Sequence, residues 1–329
     1  MVTTSRANHL ALPVLGAAFV IAGLLLLDVV PAGSYLVVIV GVGSAAAVIG
    51  SVIARGRLGP GWLRNGADFP DLAVIIGLYV TVVAALWLAF GVFTESNTLG
   101  LFLSFGFALI LGVVGPLYYT VWLRRRPLAS LGLSVGHWRS TAILAVLFAA
   151  VQFTLTLARL DYPALESWLP LLAMAVPVGL FEAVFFRGFI QNRLEAAFGL
   201  VPAIAGAAAL YGLYHVGYGM GVDEILFLSG LGIVYAFAFR VTGSIMVLWP
   251  LLTPLGSLFN QIQAGDIVMP MESILGFADL LVLMVGATWF ARRHERRRSA
   301  EYETRRGTGA AHTRRTDPAE QPTACGWGR

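Results

Sequence analysis

Residues 168–192 read Trp168-Leu-Pro-Leu-Leu-Ala-Met-Ala-Val-Pro-Val-Gly-Leu-Phe-Glu182-Ala-Val-Phe-Phe-Arg187-Gly-Phe-Ile-Gln-Asn192, and before Gln191 only Glu182 and Arg187 interrupt the apolar run. A helix of about 20 apolar residues crosses the hydrocarbon core of a bilayer. It does so as a helix because backbone amides there find no water and must bond within their own segment. Two ionisable groups inside such a segment cost roughly 2.5–3.5 kcal/mol each at its centre, so they call for a reason.

Working outward, similar stretches lie at 10–30, 34–54, 72–93, 98–123 and 140–160 on one side, and at 199–219, 224–241, 244–263 and 273–291 on the other. The expectation is an all-α, polytopic transmembrane helical bundle of about ten spans. The eighth and ninth spans are the weakest, interrupted by Gly230, Gly232, Pro250 and Pro254 with Arg240 between them. Composition agrees: 58% of residues are hydrophobic and 12% charged, against roughly a quarter charged in a soluble domain.

Arginines alternate between loops. Arg55, Arg57 and Arg64 follow the second span, Arg124 to Arg126 and Arg139 the fourth, Arg193 the sixth and Arg240 the eighth. The opposite loops carry Asp28, Glu95, Asp161, Glu166, Asp223, Glu224, Asp266 and Glu272, with Arg159 as the exception. Positive charge in short loops marks the cytoplasmic side, so both termini are expected there. Arg6 before the first span, with no small-residue cleavage site after it, makes that span a retained helix rather than a signal peptide.

The net charge of +4 comes from the C-terminal tail, where Arg292, Arg293, Arg296, Arg297, Arg298, Arg305, Arg306, Arg314 and Arg315 outnumber acids. Basic residues just after an apolar helix point to anionic lipid of the bilayer as the partner, not to nucleic acid. All 22 positive side chains are arginine, a usage that fits a GC-rich bacterial genome and excludes phosphate-loop and Schiff-base chemistries, which need lysine. The single cysteine, Cys325, is fifth from the end, so it forms neither an internal disulfide nor a prenylation box. Gly41-Val-Gly43 imitates a dinucleotide fingerprint, but it sits mid-span without the acidic residue that motif requires. Small residues in spans two (Gly43, Ala47, Gly50) and seven (Ala203, Gly206, Ala207) suit close helix packing.

Chemistry is confined to few residues. Glu182 and Arg187 share span six, His215 is the one histidine in a span, Tyr211 lies one turn before it, Asn260 is in span nine and Asp279 in span ten. A buried glutamate with an imidazole on the next helix is an acid–base pair suited to hydrolysis: the carboxylate takes a proton from water and the imidazole orients it. The bland alternatives are a buried Glu–Arg pair with another helix and a merely hydrogen-bonded histidine. Asp279 is expected to make a structural hydrogen bond or an interface pair.

These residues resemble the three motifs of the CAAX-protease and bacteriocin-processing (CPBP, Abi-type) family of intramembrane endopeptidases. Glu182-Ala183-Val-Phe-Phe-Arg187-Gly188-Phe-Ile-Gln is similar to its Glu-Glu-x-x-x-Arg motif, Tyr211-Gly-Leu-Tyr-His215 to Phe-x-x-x-His, and Gly256-Ser-Leu-Phe-Asn260 in part to His-x-x-x-Asn. Pro127-Leu-Ala-Ser-Leu-Gly-Leu133 resembles the leader that often precedes the core.

The resemblance implies a hydrolase of the bacterial plasma membrane that cuts a membrane protein or peptide. Glu182 would activate water, His215 assist, and Asn260 bind the oxyanion, while Arg187 and Tyr211 would be structural or orienting. The family is often labelled metallic, yet Glu182, His215 and Asn260 form a poor zinc set without a second histidine, so no cofactor and no obligatory metal are expected. Ala183 replaces the second glutamate and Gly256 the third-motif histidine. Loss of one oxyanion donor typically costs about 10²–10³ in rate unless Ser257, Thr253 or a tyrosine takes its place. The same departures suit an inactive relative that binds helices as a scaffold, and Pro250 with Pro254 would suit a transporter.

The expected organisation is a four-helix extension over 1–119, the protease-like core over 120–265, a final span with basic flank over 266–298, and a disordered basic cytoplasmic tail over 299–329.

Overall fold

The computed structural model describes residues 69–93, 97–133, 164–252 and 269–313, with isolated positions between 29 and 41 and between 139 and 150. Every regular element among them is helical. In chain order they are α1 (Phe69–Trp87), α2 (Thr98–Tyr118), α3 (Leu165–Glu182), α4 (Asn192–Phe198), α5 (Leu200–Leu213), α6 (Val222–Thr242), α7 (Ile245–Leu251) and α8 (Ser273–Thr313). π-helical turns extend α1 over Leu88–Val92 and α2 over Tyr119–Leu123, and a longer one, Ala183–Gln191, joins α3 to α4.

Six helical stretches among the described residues are long and apolar enough to cross a membrane: Phe69–Val92, Thr98–Leu123, Trp168–Phe198, Leu200–Tyr218, Val222–Thr242 and Ser273–Glu301. They coincide with the expected spans starting at 72, 98, 168, 199, 224 and 273. The expected spans 10–30, 34–54 and 140–160, and the second half of 244–263, lie outside the described residues or touch them only at isolated positions. The eighth span is one continuous helix despite its glycines. Gly232 accounts for this, because a Cβ there would lie 3.0 Å from the Ala208 Cα: the missing side chain lets α5 and α6 touch backbone to backbone.

One hydrophobic core runs through α1, α2, α3, the π turn after it, α5, α6, α7 and α8. The boundary expected at 119/120 falls within the π turn that ends α2, and side chains on either side of it share that core. Gly112 of α2 receives the Phe181 ring of α3. Phe105 of α2 meets Phe277 of α8 edge to face at 6.3 Å. Tyr79 of α1 donates its hydroxyl to the Leu210 carbonyl of α5 at 3.0 Å.

Helix α8 continues to Thr313, so the first part of the tail expected to be disordered from 299 is helical. Residues 292–306 contain neither glycine nor proline, and a helix already nucleated by its apolar half propagates through such residues at little cost. Asp279 on this helix is exposed.

Candidate active site

Glu182 is the last residue of α3, and the nine residues after it wind as a π-helix that is buried throughout. Hydrogen bonds in such a turn run i→i+5, so it re-aims side chains relative to an α-helix; π turns of this kind recur at functional sites. Here the turn brings Arg187, five residues beyond Glu182, into the same buried cluster of rings.

Two contacts fix the turn from outside. The Leu128–Leu131 turn of the leader crosses it at Gly188, where a Cβ would stand 2.5 Å from the Leu131 carbonyl oxygen. Asn192 then donates from Nδ2 to the Ser130 carbonyl at 3.0 Å and to the Gly188 carbonyl at 2.9 Å. The glycine of the first motif and the leader are therefore partners in one close crossing.

The second motif arrives on α5. Gly212 lets α5 approach α6 so closely that a Cβ would fall 2.0 Å from Ser229 Oγ and 2.6 Å from the Ile225 carbonyl oxygen. The helix then tightens into a 3-10 turn, Tyr214–Tyr218, which carries His215.

Both oxygens of the Glu182 carboxylate accept hydrogen bonds from this helix. Tyr214 donates its hydroxyl to Oε1, and Tyr211 donates to Oε2 at 3.2 Å. His215 Nδ1 lies 2.9 Å from the Tyr211 carbonyl oxygen. A carbonyl only accepts, so Nδ1 carries the proton, and Nε2 is an acceptor whenever the ring is neutral. The imidazole packs on the Tyr214 ring at 4.0 Å between centroids, and Tyr211 and Tyr218 complete its surroundings at 5.4 and 5.6 Å.

Arg187 is wholly buried, and among the described residues none of its three guanidinium nitrogens makes a hydrogen bond. Its charge instead lies over the Tyr211 ring at 5.0 Å. Among the described residues the Glu182 carboxylate is bonded by tyrosines and the Arg187 guanidinium lies over a ring face.

The structure brings together four of the five residues given roles at the site from sequence, Glu182, Arg187, Tyr211 and His215. Asn260, with Gly256, Ser257 and Thr253, lies outside the described residues. Tyr214 was missed as a site residue, although its place one residue before His215 on a helix entering the core was a usable signal. Asp71 was missed as well. At the arginine-rich ends of the helices it is buried among Arg124, Arg126 and Arg193, and Tyr119 donates to it at 2.6 Å.

Among the described residues no group of three or more His, Cys, Asp and Glu side chains is placed to hold a metal. Both Glu182 oxygens are engaged by phenols and His215 turns one nitrogen to a carbonyl. Among the described residues these two side chains fall short of the three protein ligands that a zinc site takes.

No curated protein and no solved structure matches the chain. Residues 163–251, which include Glu182, Arg187, Tyr211 and His215, match the family model described as Type II CAAX prenyl endopeptidase Rce1-like. Over that segment the match agrees with the resemblance read from the motifs.

Proposed function

We propose that this chain is an intramembrane endopeptidase of a bacterial plasma membrane, hydrolysing a peptide bond of a membrane-associated protein or peptide. The observation that carries this reading is the buried Glu182 carboxylate, held by two phenols from the helix that also supplies His215. A carboxylate so fixed needs little reorganisation to take a proton from an incoming water. His215 orients that water through Nε2, and Asn260 donates to the oxyanion. Arg187, by its place over Tyr211, keeps the clamp in position. The bilayer supplies the second partner, through the arginine-rich ends of the helices. The reading includes no metal and no nucleic acid.

A membrane scaffold that binds helices without cutting them is the second reading, favoured by Ala183 and Gly256 standing where the family motifs carry glutamate and histidine.

The test is cleavage of a pooled library of peptides and transmembrane segments by detergent-purified protein, with Glu182→Ala and His215→Ala run in parallel and chelator present throughout. Cleavage that both substitutions abolish and chelation leaves intact is the expected result. Absence of cleavage above the Glu182→Ala background, in protein shown to be folded, transfers the assignment to the scaffold. Stoichiometric zinc retained through chelation overturns the metal-free part.

A further inference from the structure

Hydrolysis by Glu182 needs a hydrogen-bond donor for the negative charge that develops on the substrate carbonyl oxygen. Gly256, which has no side chain to donate with, occupies the position where the third motif of the family has histidine. Ser257 and Thr253 lie outside the described residues; among the described residues a second donor beside Asn260 has to sit close to the carboxylate that launches the water.

Tyr214 meets that requirement. Its hydroxyl is bonded to Glu182 Oε1, its side chain is buried, and its ring packs on the imidazole, 4.0 Å from the His215 ring centroid. Tyr211 bonds the other oxygen at 3.2 Å, and its ring is occupied by Arg187 on one face and meets His215 edge to face. Of the two phenols, Tyr214 is the one packed directly against the imidazole.

We infer that Tyr214 is a catalytic residue, the phenol whose hydroxyl replaces the missing third-motif histidine as a hydrogen-bond donor to the oxyanion. The inference rests on the protease reading above.

The sequence of events follows from where the proton goes. In the resting site Glu182 is an acceptor at both oxygens, and the two phenols satisfy it. As the water oxygen bonds to the carbonyl carbon, one water proton passes to Glu182 and the C=O electron pair moves onto oxygen as an alkoxide. The protonated carboxyl no longer needs two donors. The Tyr214 hydroxyl turns about its C–O bond, with no movement of its ring, and donates a hydrogen bond to the alkoxide formed beside it. When the C=O bond re-forms, the C–N bond breaks, Glu182 returns its proton to the leaving amine, and Tyr214 returns to Oε1. Atoms and charges balance as peptide plus water giving acid plus amine, and the phenol keeps its proton throughout.

Steady-state cleavage by the full-length protein tests this, comparing wild type, Glu182→Ala, Tyr214→Phe, Tyr211→Phe and the double variant Tyr214→Phe with Gly256→His. Tyr214→Phe is expected to lower kcat by about 10²–10³ with KM nearly unchanged, the signature of a donor used only in the transition state. Tyr211→Phe, a positioning change, is expected to lower kcat by about tenfold or less. Gly256→His in the Tyr214→Phe background, restoring the family's own donor, is expected to recover about tenfold or more.

A Tyr214→Phe enzyme within about twofold of wild type overturns the proposal, as does a loss confined to KM or a loss that Gly256→His leaves untouched. If Tyr214→Phe fails to fold, 3,5-difluorotyrosine at 214 keeps the ring and hydroxyl and strengthens the donor; an unchanged kcat then overturns it and a changed kcat at constant KM supports it. Wild type no faster than Glu182→Ala removes the protease reading itself, an outcome distinct from an active wild type with an indifferent Tyr214.

Discussion

Arg193 Nε lies 3.5 Å from Asp71 Oδ2, and it is the most buried of three guanidiniums around that one carboxylate. Arg124 approaches Oδ1 at 3.0 Å and Arg126 approaches Oδ2 at 3.2 Å, while Arg193 also donates to Thr120 Oγ1 at 2.8 Å. Through this cluster the starting end of α1 and the finishing end of α2 grip α4, which directly continues the turn that begins at Glu182. Helices α1 and α2 therefore brace the Rce1-like segment.

Removing one member of a buried ionic cluster leaves the other charge stranded, which typically costs about 3–5 kcal/mol. Asp71→Ala is expected at the lower end, about 3 kcal/mol, because Arg124 and Arg126 are partly exposed and can turn to water. Glu195→Ala breaks the Arg240 pair, 3.1 Å apart and about a fifth exposed on both sides, and is expected to cost no more than about 1 kcal/mol. Thermal unfolding of both variants in one detergent measures the difference. An Asp71→Ala protein as stable as Glu195→Ala would refute the bracing role.

Gly212 and Gly206 are both small residues of α5, and they should respond oppositely to alanine. A Cβ at 212 meets the Ile225 carbonyl oxygen at 2.6 Å and the Ser229 nitrogen at 2.9 Å, both backbone atoms of α6 that cannot step aside singly. At 206 the one near neighbour is a methyl of Leu194 at 3.3 Å, the end of a flexible side chain. Gly212→Ala is expected to destabilise by about 1–3 kcal/mol through overpacking. It should also reduce cleavage, since it pushes the His215 turn away from α6. Gly206→Ala is expected to be neutral or slightly stabilising through helix propensity. Equal behaviour of the two would show that the α5–α6 contact is looser than the geometry makes it.

The leader crossing gives a graded pair. Gly188→Ala sets a methyl against the Leu131 carbonyl oxygen at 2.5 Å, and is expected to cost about 1–3 kcal/mol. Asn192→Ala removes the bond to the Ser130 carbonyl without creating a clash, and is expected to cost about 1 kcal/mol. Reversal of that order in unfolding measurements would mean that the leader is held by its hydrogen bonds more than by its fit.

Helix positions were legible because hydrocarbon leaves the backbone no other choice, and the runs around Tyr79, Phe105, Glu182 and Met284 each announced a span. The site was legible in part. Glu182, Arg187, Tyr211 and His215 stood out as polar or aromatic residues with motif spacing. Spacing, however, assumes α-helical winding. The π turn after Glu182 and the 3-10 turn at Tyr214–Tyr218 alter which side chains share a face, so the bond from Tyr214 to Glu182 did not follow from spacing. Asp71 was hidden for another reason: its partners Arg124, Arg126 and Arg193 are remote in sequence and read individually as loop charges. The helix beyond 299 was obscured by composition, since an arginine-rich stretch reads as solvated tail whether or not an apolar helix upstream drives its winding.

Arg187 separates fold from function most sharply. Its guanidinium is fully buried without a hydrogen bond among the described residues, and its contact with the Tyr211 ring at 5.0 Å is worth about 0.5–2 kcal/mol. That does not repay the desolvation of a charge, which amounts to several kcal/mol even after relaxation. Arg187→Met, similar in reach and uncharged, is therefore expected to melt at the same temperature as wild type or higher. Its cleavage rate should nevertheless fall by about tenfold or more, because Tyr211 loses the cation that holds its ring and the Glu182 clamp loosens. Arg187→Lys should not restore the rate, since a compact ammonium cannot stack on the ring as a planar guanidinium does. Unfolding and kinetics on the same preparations decide the matter. A stability loss of about 3 kcal/mol or more in Arg187→Met, the size that follows removal of one partner from a buried ion pair, would sink the idea and make Arg187 a structural cation.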